Sequence, residues 1–163
     1  PNGDFAHTIA RQFFFSAFQS LELKALQNSN DADLAAIAAK ASKEVAYHLR
    51  FARDWVIRLG DGTDESHGRM QVAIEDMWRF CEELFEMDAI HHTLLSEGVA
   101  PDLTDVRTEW DALVDEVLKT ATLKRPDECR PIKGGRQGHH SEHLGHILSE
   151  MQFLQRAYPG AEW

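Results

Sequence analysis

Histidines and carboxylates are the residues of this sequence whose number and spacing could build a metal site. The 163-residue chain holds nine histidines and 27 aspartates and glutamates. Helical bundles often bind two metal ions through a Glu from each of two helices and a Glu-x-x-His pair from each of two others, because residues i and i+3 share a helix face. No Glu-x-x-His occurs in these 163 residues. A complete ligand set of this kind therefore does not occur in the sequence.

Asp-x-x-His pairs have the same spacing and are the next candidates. Because about one residue in six is acidic, nine histidines would give about 1.5 pairs with an Asp or Glu three positions before the histidine by chance. Three are present, which is no clear excess. They are Asp4/His7, Asp64/His67 and Asp88/His91.

Asp88 and His91 are the most suggestive pair, because both interrupt an apolar helical pattern and a buried charge needs a partner. Glu44 and His48, at i and i+4 on another predicted helix, form a second candidate pair. If the two pairs faced each other, they could supply four ligands to a metal site. The alternative is a hydrogen-bonded polar cluster that fixes helix packing, or the remnant of a lost metal site. We favour this alternative and expect no metal in this chain.

The segment 133–146 offers contacts to anions or to another protein. Lys133 and Arg136 flank two glycines in a basic, flexible loop, for which solvation is the usual outcome; the alternative is a contact with a phosphate or a neighbouring subunit. Gln137 lies in the same loop. Glu142 and His143 follow within a histidine-rich helix start, where solvation is the usual outcome. For these two residues we favour an interface over a metal site.

Apolar residues recur at helical spacing nearly throughout the chain, and no strand pattern is present. Glycine, proline and asparagine clusters divide the sequence into predicted helices at about 4–27, 31–59, 63–97, 104–121 and 139–158. Segment 122–138, with two prolines and three glycines, is predicted to be one extended loop. Long helices joined by short turns favour an all-α, up-and-down bundle in a single domain over 1–163.

Composition excludes several classes of partner. The net charge of -10 disfavours nucleic acid and anionic membrane surfaces, and no apolar run approaches the roughly 18 residues needed to span a bilayer. The two cysteines, Cys81 and Cys129, are too few for a disulfide scaffold and favour a cytoplasmic location. Cys81 lies among apolar residues of the third predicted helix, where a thiol usually acts as a small hydrophobe.

Several strings of the sequence resemble one protein family over essentially the whole chain. They are KEVAYHLR at 43–50, WVIRLGDGTDES at 55–66, GGRQG at 134–138, SEHLG at 141–145 and EMQFLQRAYPG at 150–160. Together they are similar to the structural subunits of ring 1,2-phenylacetyl-CoA epoxidases, and the last string is specific. The resemblance implies a ferritin-like bundle.

The same resemblance implies a function and a set of partners. Members of the family act in a bacterial multicomponent monooxygenase that epoxidises an aromatic CoA thioester during aerobic phenylacetate breakdown. A sister subunit of the same fold holds the di-iron centre, and a reductase supplies electrons from NADPH. The structural subunit pairs with that sister, carries no working centre and is not itself catalytic. Phenylacetyl-CoA is expected near the subunit interface, with Lys133, Arg136, Gln137, Glu142 and His143 as candidate contacts.

The resemblance also predicts that about two N-terminal helices of the family precede the segment represented by 1–163. Without them, Phe13, Phe14 and Phe18 are expected to find cover in another copy or in a partner. The sequence leaves two other functions open. One is a ferritin-like di-metal oxidoreductase that uses the Glu44/His48 and Asp88/His91 pairs. The other is a metal-free bundle that binds CoA through Lys133 and Arg136.

Overall fold

A computed structural model describes residues 3–127 and 130–162 of the chain. Within these two ranges the backbone forms helices and connecting turns, without a β-strand. Where the sequence predicts one domain, the chain forms two compact units, which we call the bundle unit (1–132) and the C-terminal unit (133–163). The bundle unit contains α1 (Phe5–Leu26), α2 (Ala32–Gly60), α3 (Asp64–Trp78), the 3-10 helix Glu82–Phe85, α4 (Ala89–Ser96) and α5 (Leu103–Thr120).

The first two helices form an antiparallel hairpin, as predicted. Asp31 starts α2 by accepting two backbone hydrogen bonds, which satisfies amide groups that every helix start leaves unpaired. Phe5 at the start of α1 packs edge-to-face on Trp55 near the end of α2, with ring centroids 5.2 Å apart. The two helices therefore run in opposite directions along one another.

Helix α1 is the centre of the bundle unit, because it packs against α2, α3 and α5. Trp110 on α5 is fully buried beside it and donates from Nε1 to the backbone oxygen of Phe14 at 3.1 Å. Phe14 also contacts the ring of Trp78, and Phe85 contacts that of Trp110. This aromatic cluster joins three helices, and each ring buried in it contributes about 1.5–3 kcal/mol.

Three phenylalanines of α1 were expected to need cover from outside the chain. That expectation was wrong: Phe13, Phe14 and Phe18 are only 0%, 3% and 6% exposed. Helices α3 and α5 supply the cover, since both pack on α1. The exposed phenylalanines of α1 are instead Phe5 and Phe15, at 50% and 46%.

The single helix predicted for 63–97 is wrong, because α3 ends at Trp78 and α4 begins at Ala89. Tertiary contacts hold the break. The amide of Ile132 donates to the backbone oxygen of Arg79 at 2.8 Å. In a continuing helix this oxygen would accept an amide of the same helix instead. Phe85 turns inward, with its ring centroid 5.4 Å from that of Phe18. Apolar periodicity alone could not show that these contacts outweigh helix propensity.

The C-terminal unit has short elements of its own. After the 3-10 turn Gly135–Gln137 it contains α6 (Glu142–Met151) and α7 (Phe153–Ala157). The predicted helix over 139–158 is correct in type but wrong in extent, because it begins at Glu142 and is interrupted at Gln152. The predicted loop 122–138 is confirmed for its described residues; Cys129 lies outside them.

The all-α architecture confirms the predicted fold class, a ferritin-like up-and-down helical bundle. Cys81 is buried, in agreement with its predicted packing role. In the part of the chain that the structure describes, no helix combines the length and apolar character that crossing a bilayer requires.

Candidate functional site

Asp88 and His91 lie at the start of a helix rather than along the apolar face of one. Asp88 is the N-cap of α4, and its Oδ1 accepts the backbone N–H of His91 at 2.8 Å. The ring Nε2 of His91 lies 2.9 Å from the backbone oxygen of Pro101, which can only accept, so Nε2 donates. The pair fastens the start of α4 to the segment before α5. In this arrangement Nε2 of His91 is not available to a metal ion.

Asp4 and His7 repeat the same arrangement at the start of α1. Asp4 is the N-cap and accepts the backbone N–H of His7 at 3.1 Å. The imidazole bridges two carboxylates, with Nδ1 2.9 Å from Asp4 and Nε2 3.0 Å from Asp76 on α3. Hydrogen bonds from the ring of His7 to the carboxylate of Asp4, and then to that of Asp76, raise the pKa of His7, although burial opposes them. The hydrogen bond to His7 in turn lowers the pKa of Asp4.

A helix N-cap explains why a pattern chosen for metal chemistry appears here. An N-cap carboxylate at position i accepts from the amide at i+3, which is also the spacing at which two side chains share a helix face. Two of the three Asp-x-x-His pairs, Asp4/His7 and Asp88/His91, are therefore N-cap structures.

The third pair, Asp64/His67, follows the N-cap Thr63 of α3. The ring Nδ1 of His67 lies 2.7 Å from the backbone oxygen of Gly60, at the end of α2. Gly60 is buried so closely against the end of α5 that an added Cβ would lie 2.4 Å from the backbone oxygen of Ala121. His67 therefore helps close the turn between α2 and α3.

Glu44 and His48 lie on the outer side of α2. Their side chains are 80% and 41% exposed, and Oε1 of Glu44 is 3.9 Å from Nε2 of His48. The prediction placed His48 on a buried helix face, which is wrong for this partly exposed ring. A pair this open and this far apart contributes at most about 1 kcal/mol to folding.

The exposed side of α2 also carries a row of aromatic rings. Tyr47 and Phe51 are 57% and 43% exposed, and neighbouring centroids along Tyr47, Phe51 and Trp55 are 6.5 Å apart. Arg50 lies over the Tyr47 ring, and Arg58 lies over that of Trp55. Aromatic residues and arginine are enriched in protein interfaces, so this face has the composition of a contact surface.

The structure does not gather the candidate ligands into one group. Among the described residues, no three His, Cys, Asp or Glu side chains lie together in a way that could hold a metal ion. Glu44 and His48 remain a surface pair on α2, and Asp88 and His91 remain a cap on α4.

Sequence reasoning missed a polar network around Arg107 and Arg125. Arg107 binds Glu82 and Asp111 at 2.9 Å each, and Arg125 binds Asp111 at 2.6 Å and Asp115 at 2.8 Å. Burial alone would lower the pKa of both guanidinium groups, but their carboxylate partners raise it. The i, i+4 spacing of Arg107 and Asp111 could have predicted their ion pair from the sequence. The contacts to Glu82 and Arg125 depend on tertiary structure.

Within the C-terminal unit, a tight turn carries the predicted basic contacts. Gly134 adopts a φ of 107°, which favours glycine, and its backbone oxygen accepts from the amides of Gln137 and His139. Lys133 and Arg136 lie in this turn. The two other predicted contact residues, Glu142 and His143, are exposed at the start of α6.

Helices α6 and α7 present an exposed apolar face. Leu148, Leu154, Ile147, Tyr158 and Met151 are 39%, 48%, 54%, 59% and 70% exposed. They repeat at helical spacing, and Leu144 precedes them; Phe153 of α7, 62% exposed, lies outside this spacing. Isolated exposed apolar residues are ordinary, but a continuous row is typical of a surface that contacts another molecule.

The sequence matches a known protein family over all 163 residues. The model of that family, described as phenylacetic acid catabolic protein, matches residues 1–163. The chain belongs to this family. A subunit of the 1,2-phenylacetyl-CoA epoxidase of Escherichia coli (strain K12) is 50% identical over all 163 residues. The chain spans 66% of the length of that relative.

Membership of the phenylacetic acid catabolic protein family confirms the resemblance that the sequence strings indicated. The matched region covers both units, so it includes α2 with Glu44 and His48 as well as the turn around Arg136 and the apolar face of α6. In this chain, the polar pairs Asp4/His7 and Asp88/His91 serve as helix caps. Its exposed features include the aromatic row on α2 and the C-terminal apolar row.

Proposed function

We propose that this chain is a structural, non-catalytic subunit of a multicomponent phenylacetyl-CoA 1,2-epoxidase in aerobic phenylacetate catabolism. The observation that carries the proposal is the 50% identity, over the complete chain, to a protein named as one of the subunits of that epoxidase. The family match over the same residues supports it. The proposed site of action is the cytoplasm.

The chemistry of the side chains supports a structural role. The sequence lacks the Glu-x-x-His pairs of the two-metal bundles described above. Asp88 accepts a backbone N–H, and His91 donates from Nε2 to a backbone carbonyl. Both are therefore committed to holding α4 in place. The proposed partner is the homologous subunit that carries the di-iron centre, and no residue of this chain is assigned to the chemical step.

Two exposed surfaces support a role in association. The aromatic row on α2 and the apolar row on α6 and α7 both leave large side chains in contact with water. Covering such side chains with another protein surface is favourable by roughly 25 cal/mol for each Å² of apolar area. The subunit would thus stabilise its partner through burial of helix surfaces, with phenylacetyl-CoA bound near their interface.

Co-expression with the homologous di-iron subunit tests the proposal. We expect the two chains to co-purify, and we expect epoxidation of phenylacetyl-CoA, with O₂, NADPH and the reductase present, to fall when this chain is omitted. Because Glu44, His48 and His91 have no catalytic role in the proposal, the variant His48→Ala should retain epoxidation within about twofold. A chain that remains monomeric beside the di-iron subunit and leaves epoxidation unchanged would show that the proposal is wrong.

Metal analysis of this chain, purified without an affinity tag, separates the structural subunit from an independent di-metal oxidoreductase. Stoichiometric iron that is lost in both His48→Ala and His91→Ala would assign the metal chemistry to this chain. Titration with CoA tests the third possibility, a metal-free bundle that binds CoA. Direct binding by the isolated chain, weakened by salt and by Arg136→Ala, would identify a CoA-binding bundle.

A further inference from the structure

The ring Nδ1 of His7 has two hydrogen-bonding partners, and both belong to the residue that caps α1. Nδ1 lies 2.9 Å from Oδ1 of Asp4 and 3.5 Å from the backbone nitrogen of the same residue. A carboxylate only accepts, so that contact requires a proton on Nδ1. A backbone N–H only donates, so the other contact requires a bare Nδ1. The two contacts therefore belong to different protonation states of the imidazole.

The other ring nitrogen of His7 has one role in both states. Nε2 lies 3.0 Å from Oδ2 of Asp76 on α3, where it must donate because the carboxylate only accepts. A charged imidazole carries a proton on both nitrogens, and a neutral one carries a single proton. With that proton on Nε2, the bond to Asp76 is kept and Nδ1 can accept from the amide of Asp4. With the proton on Nδ1, a lone pair of Nε2 would face the Asp76 carboxylate.

The surroundings hold the ring in place, so loss of a proton changes its bonds rather than its position. The side chain of His7 is only 14% exposed. Gly3 passes so close to the ring that an added Cβ would overlap Cγ of His7. On the other side, Asp76 holds Nε2 against α3. The group that is free to move is the carboxylate of Asp4, which is 35% exposed.

Space and a second cation lie beside the Asp4 carboxylate. A cavity of about 330 Å³ adjoins it, and α2 contributes the aliphatic side chain of Leu59 to the wall. From α3, Arg69 places Nη1 3.7 Å from Oδ2 of Asp4 and Nη2 2.7 Å from Glu65. A carboxylate repelled by the lone pair of a bare Nδ1 can therefore turn towards Arg69.

We propose that His7 and Asp4 form a capping box that a proton switches between two arrangements. In the charged imidazole, Nδ1–H donates to the carboxylate of Asp4. When that proton passes to water, the bare Nδ1 accepts from the backbone N–H of Asp4 and the carboxylate turns towards Arg69. Nε2–H donates to Asp76 in both arrangements, so the link between α1 and α3 loses its charge but keeps its hydrogen bond. The switch uses only residues of this chain and does not depend on the proposed function.

NMR spectroscopy of the full chain, labelled with ¹⁵N and ¹³C, tests the switch between pH 5.5 and 9.5. Carbon-detected spectra follow the backbone nitrogen of Asp4 even where amide hydrogens exchange rapidly with water. We expect Nδ1 of His7 to take the shift of a bare nitrogen as the pH rises, while Nε2 keeps that of a protonated one. The backbone nitrogen and the carboxyl carbon of Asp4 should shift with the same midpoint. His7→Gln should abolish both shifts.

Arg69→Gln tests where the carboxylate goes. This variant removes the cation that receives Asp4 in the neutral arrangement, so His7 should lose its proton at a higher pH and the shift of the Asp4 carboxyl carbon should shrink. Lys24→Gln removes the same charge from the far end of α1, 17 positions and roughly 26 Å from His7. Salt screens charges over about 8–10 Å, so Lys24→Gln should leave both measurements unchanged.

Each other result overturns the proposal and identifies its fault. A neutral ring that carries its proton on Nδ1, or a ring that stays charged up to pH 9.5, shows that the bonds of His7 are not exchanged. A neutral ring protonated on Nε2 beside an unchanged Asp4 backbone nitrogen shows a tautomer preference without a new capping bond. Unchanged measurements in Arg69→Gln, or equal changes in Lys24→Gln, show that the carboxylate does not turn towards Arg69.

Discussion

The imidazole Nε2 of His7 on α1 lies 3.0 Å from the carboxylate of Asp76 on α3. Asp4 binds the other ring nitrogen at 2.9 Å, so one largely buried histidine joins the first turn of α1 to the last turn of α3. The guanidinium of Arg69 adds a longer contact to Asp4, at 3.7 Å. The cluster is therefore a structural clamp that depends on the protonation of His7.

Stability should depend on pH through His7. Its pKa in the folded chain is raised above the ordinary value of 6.5, chiefly by Asp4 and then by Asp76. The resulting stabilisation is fully present below about pH 6.5 and is lost as the pH rises through the folded pKa. Because Asp76 is 55% exposed, we expect less than about 1 kcal/mol.

Denaturant unfolding between pH 5.5 and 9 checks this dependence. Relative to the unmodified chain, His7→Gln should lose stability at the acidic end and show a smaller decline towards pH 9. Ser149→Ala, in the C-terminal unit, removes no titratable group, so it is the control and should keep the original pH profile. Identical profiles for the unmodified chain and His7→Gln would contradict the assignment.

Two glycines should respond in opposite directions to the same substitution. Gly60→Ala places a Cβ 2.4 Å from a backbone oxygen, so the ends of α2 and α5 must separate. We expect this variant to lose at least about 1–3 kcal/mol of folding stability. Gly68 lies within α3, and a Cβ there meets nothing within 4 Å. Gly68→Ala should therefore stabilise the chain by about 0.5–1 kcal/mol. Thermal unfolding of the two variants measures both signs, and a stabilising Gly60→Ala would disprove the close approach.

Asp88 can be tested as a helix cap rather than a metal ligand. Asp88→Ala should cost about 1 kcal/mol and increase hydrogen exchange in α4, because the amide of His91 loses its acceptor. Asp88→Ser should restore most of the protection, since serine is a good N-cap but a poor metal ligand. Failure of both serine and asparagine, which also cap helices well, would indicate that Asp88 has another role.

Trp110 provides a test of the core. Trp110→Phe removes the N–H that donates to the backbone oxygen of Phe14 and leaves a small void, so it should destabilise the chain by about 1–3 kcal/mol. Trp55 is only partly buried, so Trp55→Phe should cost less. Equilibrium unfolding in urea ranks the two variants, and a larger loss at Trp55 would contradict the position of Trp110 at the centre of the core.

The sequence by itself predicted the elements whose ends are set by local chemistry. Helices α1 and α2 are capped by Asp4 and Asp31, whose short carboxylates satisfy the amides of the next turn. Their apolar spacing identified the long helices, and the family strings identified the relatives. These features depend only on residues close together in the chain.

Tertiary structure decided where the third predicted helix breaks and what its polar residues do. Apolar spacing continues through 79–88, but contacts to α1, α5 and Ile132 stabilise a turn and a 3-10 helix there. Asp88 therefore begins a new helix, although the pattern placed it along a buried face. An N-cap and a pair of metal ligands need the same i, i+3 spacing, so the spacing alone could not distinguish the two roles of Asp88 and His91. Contacts outside the pair, such as the one from His91 to Pro101, decided between them. Contacts of this kind arise from packing, which no local pattern specifies.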